Sequence, residues 1–399
     1  KITLNNNSMI NNKYNFGVDG TKAHHFIHNI DNSNSINDKK IYYLLNENSY
    51  DIIASQYPDL GYIALINCTG FTIQNLQLTN NINGILLVNT QNTTLKNNTI
   101  TQNTEGIKFI NSENNTLKEN KISNNKNNFI IQSSFLNNID QTNTLDGKAI
   151  YYWINQYDKV VPADAGYIAL INCGNITIQN QNFVSNWNNI LLSGTENSKI
   201  TQNQISNCSF GIILDNQSNK NNLSNNTLTN CTHGIAVTNS HNNIITNNTI
   251  TSANQNAISL MQSNFNTISE NLVGSSLNIG LKLIQNSNNN IIENNYFSYN
   301  NIALELTNTS SNIITKNYLT DNSRSIQICG ESEYIQISQN SINNTLCGIE
   351  LSQKSSLETS GNADYLTYNI QVSNITNISR FHKIINNNFK NNTYGVLFI

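Results

Sequence analysis

Charge is scarce in this 399-residue chain: Asp, Glu, Lys and Arg make up 11% of it, and 21 basic residues nearly balance 24 acidic ones. Phosphate neutralisation needs clustered Lys and Arg, and no such cluster exists, so a nucleic-acid binder is excluded. Proline is almost absent, with 2 residues, and there are only 18 glycines, so turns must be made by something else. No run of about 18 apolar residues is present to span a membrane. The six cysteines form no Cys-x-x-Cys unit, which argues against a cysteine metal cluster.

What fills the gap is asparagine, roughly a fifth of the chain. Such a bias suggests a low-complexity disordered tract. Disorder, however, goes with high net charge and few β-branched residues, whereas this chain is nearly neutral and crowded with isoleucine and threonine. Its apolar residues also recur on a grid of 22 or 23 residues. "GILLVNTQNTTLKNNTITQN" from Gly84 lies over "GIKFINSENNTLKENKISNN" from Gly106, matching Ile85 to Ile107, Leu87 to Phe109, Leu95 to Leu117 and Ile100 to Ile122. The series continues at Ile190, Ile212, Ile235, Ile258, Leu281, Leu304, Ile326, Ile349 and Val396.

Within a repeat the apolar residues stand about 2, 8 and 5 apart, which suits neither a 3.6-residue helix nor one long alternating strand. Three short strands separated by corners fit, and a chain returning to its start every repeat is a coil of an all-β parallel solenoid. Stacking about 15 coils at about 4.8 Å gives a rod about 70 Å long. Corners need residues that tolerate positive φ, and asparagine does so best after glycine. Stacked in register, its amides can also bond along the rod. The expectation is therefore apolar columns inside and amide-bearing corners facing water.

A larger duplication overlies the short one. "NIDNSNSINDKKIYYLLNENSYDIIASQYPDLGYIALINC", ending at Cys68, matches "NIDQTNTLDGKAIYYWINQYDKVVPADAGYIALINC", ending at Cys173. We divide the chain into a module of residues 1–138 with an enlarged coil at about 28–61, and a module of residues 139–399 with an enlarged coil at about 139–166, in one continuous solenoid. An insertion at about 352–383 interrupts the last repeats. Each enlarged coil is expected to extend from the rod as a larger loop or paired strands.

The phrase "GKAIYYWIN…DAGYIALINC", followed by "NITIQNQNFVSN…GIILDNQSNKNNLSNNTLTNC", resembles the NosD-like family, whose repeats are also called CASH domains, over nearly the whole chain after about residue 28. The resemblance implies a right-handed parallel β-helix. For function it implies less, since the family spans a periplasmic protein implicated in copper-site maturation of nitrous oxide reductase and many archaeal cell-surface or adhesin-like proteins. The Asn-rich coils here look most like the surface proteins.

Parallel β-helices also host sugar-cleaving enzymes, which need carboxylates converging on one face. Asp215, Glu305 and Glu350 lie in widely separated coils, and the sequence reading gives them differing offsets. Asn-Thr-Asp, Gly-His-Gly and Asp-Pro-His-Glu patterns are missing, and "THGIA" around His233 is a poor substitute. His24, His25 and His28 cluster without metal-ligand spacing, with His241 and His382 elsewhere. The candidate ligand-binding sets are duplicated: Lys39, Tyr42, Tyr43 and Asp59 in one module, Lys148, Tyr151, Tyr152 and Asp164 in the other, where exposed tyrosines beside a charge suit sugar stacking. The alternative is an "IYY" strand that buries one tyrosine and exposes its neighbour beside a surface ion pair.

Cys208 and Cys231 each stand three residues before their coil glycine, so stacking places their Cα atoms about 4.8 Å apart, close enough for a disulfide or for two thiols in a ladder. Cys68 and Cys173 are expected in the core as small hydrophobes, and Cys329 and Cys347 are out of phase. Asn-x-Ser/Thr sequons, including Asn67, Asn92, Asn97 and Asn114, suit an extracellular surface. The reading that follows is a non-catalytic, extracellular cell-surface rod without cofactor or metal, partnered by surface glycans or copies of itself, with further coils or domains expected beyond both termini. Two alternatives stay open: a polysaccharide lyase or glycoside hydrolase with Glu358, Asp364 and Arg380 at the insertion, and a NosD-like copper-maturation accessory.

Overall fold

A computed structural model describes residues 1–352 and 379–399. Apart from one 3-10 turn at Ala23–Phe26, the regular structure of the described residues is strand, in an all-β parallel solenoid. Each coil contributes a longer first-face strand such as Asn83–Val88, then short second- and third-face strands such as Thr94–Lys96 and Thr99–Thr101. Successive coils pair in parallel and in register: Ile63, Ile85, Ile107 and Phe129 form one column. Ile190, Ile212, Ile235, Ile258, Leu281, Leu304, Ile326 and Ile349 form another. All of these are fully buried, because a period-2 strand on a closed coil sends the same side chain inward at every circuit.

The corners are made as expected, with asparagine at positive φ, for example Asn97 at 50° and Asn247 at 54°. The expectation that the amides face water holds for only half of them. In each "NNTI" corner the first asparagine is exposed and the second is buried: Asn98 is 0% and Asn248 1% accessible. The inner ones run as a ladder through Asn203, Asn226, Asn248, Asn271, Asn295, Asn317 and Asn340, where each Oδ1 accepts the backbone N–H of the preceding member at 2.9–3.1 Å. A corner leaves buried peptide groups without strand partners, and asparagine carries both the donor and the acceptor that satisfy them.

The enlarged coils are entered through tight hairpins. Ser35–Ile36 runs antiparallel to Lys39–Leu45, and Thr144–Leu145 antiparallel to Lys148–Ile154; each longer strand then joins the first face in parallel with Leu60–Ile66 or Tyr167–Ile171. The second face is accordingly split into a five-stranded stack ending at Asn138–Ile139 and a nine-stranded stack beginning at Thr177–Gln179. Over the outer side of the first module lies an N-terminal strap. Asn15 N–H donates to the Asn80 carbonyl and Ile82 N–H to the Phe16 carbonyl, each at 2.8 Å. Gly17 is required there, since a Cβ would come within 2.2 Å of Ile82 Cβ. The strap is also pinned by Lys108, buried between Asp19 at 2.8 Å and Glu105 at 2.9 Å.

Candidate functional site

On the second module's first face, side chains alternate inward and outward, and the outward ones stack into columns. One column changes character along its length: Ile213, Ala236 and Ser259 give way to Lys282, Glu305, Gln327 and Glu350. Lys282 Nζ lies 3.0 Å from Glu305, and Arg324 Nε, one coil before Glu350, lies 2.9 Å from it. Gln327 Nε2 donates to Glu350 at 2.7 Å and the Thr307 hydroxyl to Glu305 at 3.3 Å. Glu305 and Glu350 are 2% and 5% accessible, so each carboxylate is buried against a cation whose own side chain stays partly exposed.

The differing offsets expected for Asp215, Glu305 and Glu350 are corrected by this register. Glu305 and Glu350 share one column, two coils or about 10 Å apart, while Asp215 stands one outward position further along its strand, paired with Ser193. Burial raises the Asp215 pKa. The signal was in the sequence: Leu281, Leu304, Ile326 and Ile349 are each followed at once by Lys, Glu, Gln or Glu.

The duplicated hairpin clusters assemble differently from the sequence reading. Asp59 pairs with Lys40 at 2.9 Å rather than with Lys39, because the hairpin turns Lys40 toward Asp59, whose carboxyl this contact holds below its usual range. Lys148 pairs with Asp164 at 2.6 Å. The tyrosines are largely inside. Tyr43 and Tyr152 are buried and donate their hydroxyls to the Phe26 and Phe135 carbonyls of the segments that cross over them. Tyr151 lies on the inward column of Ile168 and is also buried. Tyr42, beside Ile63 and half-buried, meets Tyr57 edge to face and reaches Asp59 at 3.5 Å. The ring faces needed for stacking on sugar are thus spent on the core, except at Tyr42.

Stacked pairs of exposed aromatics lie in the last third of the solenoid. Tyr296 and Tyr318, in register on the third face, stack with centroids 5.2 Å apart, and Tyr334 stacks on Phe381 at 5.1 Å. Tyr334 and Phe381 hold left-handed corners that asparagine fills in other coils, at about 1–2 kcal/mol each for a side chain with an ordinary Cβ.

Cys208 and Cys231 form a disulfide between adjacent coils, their Cα atoms 4.6 Å apart. Cys68 and Cys173 are buried, and burial raises both thiol pKa values. Cys329 pairs in register with Ser352, and Cys347 with Arg324, so the two cysteines lie five positions apart along adjacent strands. Four of the six histidines serve as structural acceptors. Nδ1 of His25 accepts the Thr21 N–H, that of His28 the Ile2 N–H, that of His241 the Asn264 N–H and that of His382 the Ile335 N–H. His233 stacks on Phe210, 4.7 Å between centroids, and burial lowers its pKa to about 4. Among the described residues no three His, Cys, Asp or Glu side chains gather as a metal site. Glu358 and Asp364 lie outside the described residues; Arg380 is paired with Glu333 at 3.3 Å.

The family model of NosD, described as a periplasmic copper-binding protein, matches residues 28–163 and 157–312, and that of the right-handed β-helix region matches residues 280–369. No curated protein matches the chain. Among solved structures, the periplasmic alginate epimerase AlgG is 12% identical over 83% of this chain and 78% of its own, with a TM-score of 0.44. DFA-IIIase from Arthrobacter chlorophenolicus A6 is 12% identical over 61% of this chain and 60% of its own, with a TM-score of 0.42. Likenesses this distant carry no argument about activity.

Proposed function

The chain belongs to the NosD family, and from that premise we propose that it is a non-catalytic rod that works outside the cytoplasm at a cell surface, holding glycans or further copies of itself along its length. The family's description is periplasmic, which agrees with an extracellular or periplasmic setting. Among the described residues no helix is long and apolar enough to cross a membrane.

The observation that supports the reading is that both carboxylates of the Lys282–Glu350 column are already paired with cations. A catalytic pair needs two carboxylates free to differ in protonation and open to a substrate. Glu305 and Glu350 are instead buried and each paired with Lys282 or Arg324 of the neighbouring coil, an arrangement that locks register between coils. Exposed Asn67, Asn92, Asn97 and Asn114 at left-handed corners suit a glycosylated exterior. Among the described residues the copper of the family description finds no matching donor set, since four of the imidazoles already accept backbone N–H groups through Nδ1.

The test is a glycan array run beside a polysaccharide-cleavage panel. Array binding without new reducing ends or unsaturated products is expected. Turnover that disappears in Glu305→Gln or Glu350→Gln would overturn the proposal in favour of an enzyme.

A further inference from the structure

At the seam between the two modules the third face is interrupted. Its strands stack from Thr99–Thr101 through Lys121–Ser123 to Thr144–Leu145. There the chain reverses at Asp146 and Gly147, both at positive φ, and leaves along Lys148–Ile154. The face resumes at Asn182–Val184, which pairs with Gln204–Ser206. Among the described residues no strand joins Leu145 to Phe183, and a cavity of about 270 Å³ occupies the missing place.

Its lining is unlike the rest of the solenoid. Asn189 stands in the column held further along by Gly211, Gly234, Ala257 and Gly280. A Cβ at Gly211 would fall 2.6 Å from the Gly234 carbonyl oxygen, so that coil is closed to a larger residue, whereas the seam admits an asparagine side chain. Asn189 is 1% accessible, and its Nδ2 has no hydrogen-bond partner. A buried donor left unpaired costs about 1–3 kcal/mol, whereas the inner-corner asparagines from Asn203 to Asn317 each donate Nδ2 to the asparagine Oδ1 of the next coil. Across the cavity Asp146 accepts from Asn128 Nδ2 at 2.6 Å and from the Asn124 N–H at 2.8 Å. Lys148, the one cation of the lining, is neutralised by Asp164 and reaches the Asn182 carbonyl at 3.5 Å. Leu145, Phe183 and Val184 supply the apolar wall.

We infer that this seam cavity is a binding site for a single neutral sugar residue. The volume is near the small end of ligand sites. A free amide donor, a carboxylate acceptor and an apolar wall match the alternating hydroxyl and C–H surfaces of a hexose. Charge decides against acidic sugars: the Asp146 carboxylate faces the cavity while the Lys148 ammonium is already paired, so a uronate meets repulsion without compensation. The inference rests on the proposal of a glycan partner and assigns that partner a place.

The purified chain would be titrated with glucose, galactose, mannose and N-acetylglucosamine, and separately with glucuronate and galacturonate, by calorimetry and ligand-observed NMR. At least one neutral sugar is expected to bind, with uronates weaker by about tenfold or more. Asn189→Gly, which restores the residue of the neighbouring coils, should weaken binding about tenfold without lowering the melting temperature. Val184→Trp, on a side chain 59% accessible, should block the mouth. Failure of every neutral sugar to bind, or binding unchanged in both variants, overturns the inference. Array binding that persists in both variants refutes the seam site while leaving the rod proposal standing. A silent array with sugar bound at the seam has the opposite meaning.

Discussion

Asn248 and its neighbour Asn247 should respond to mutation very unequally although they are chemically identical. Asn248 is 1% accessible. Its Oδ1 accepts the Asn226 N–H at 3.0 Å and Asn226 Nδ2 at 2.9 Å; its Nδ2 donates to the Leu223 carbonyl at 2.9 Å, the Thr246 carbonyl at 3.1 Å and Asn271 Oδ1 at 3.0 Å. Asn248→Ala leaves the buried Asn226 N–H without an acceptor, at about 1–3 kcal/mol, and deletes the bonds donated by the two amide hydrogens, shared among three acceptors, at about 1 kcal/mol net each, for a total of about 3–5 kcal/mol. Asn247 is exposed at φ 54°, so Asn247→Ala costs only the left-handed penalty of about 1 kcal/mol and Asn247→Gly almost nothing. Because a solenoid couples mainly nearest neighbours, hydrogen exchange is the assay of choice alongside urea unfolding. Protection at the Asn226 amide and in the coils from 203 to 271 should collapse in Asn248→Ala, while Ile85 and Ile107 keep theirs. Equal costs for Asn248→Ala and Asn247→Ala, or an undisturbed Asn226 amide, would refute the assignment of the ladder.

The remaining predictions concern charge and cross-links. Lys282→Ala strands Glu305, and removing one partner of an enclosed pair should cost about 3–5 kcal/mol, whereas the double change Lys282→Met with Glu305→Met should recover most of it, as urea midpoints would show. Lys40→Ala, at an exposed pair, should leave the midpoint unchanged. His233 titrates at about 4 in the fold against about 6.5 unfolded. The unfolded chain therefore takes up the proton first, and stability falls as pH drops from about 6.5 to about 4, by up to about 3 kcal/mol. His233→Phe should flatten that part of the pH profile, and an unchanged profile would refute the role. Cys208→Ser with Cys231→Ser opens a loop of 23 residues, so reductant or the double variant should lower stability by about 3 kcal/mol; identical unfolding with and without reductant would contradict it.

Repetition is what made so much of this chain legible. Stacking in register turns the sequence into a map with one long axis, so Ile85 over Ile107, or Cys208 beside Cys231, follows from a shared phase alone. The same reasoning placed Asn97 and Asn247 at left-handed corners, since few other residues accept that backbone without strain. It could also have placed Glu305 and Glu350 in one column, had phase been counted position by position.

The rest was decided by contacts that no period encodes. Tyr43 and Tyr152 look like surface residues of an alternating strand until Phe26 and Phe135 cross over them. Lys108 is buried by Asp19, 89 residues earlier, and the strap meets its strand 65 residues away. The choice between an exposed and an enclosed asparagine in each corner pair depends on which one turns toward the coil interior, and the seam exists because a hairpin at Asp146 and Gly147 breaks the stack. Local periodicity fixes which side chains repeat their direction at every circuit; only the path of the non-repeating segments over the outer face determines which of the outward ones meet water.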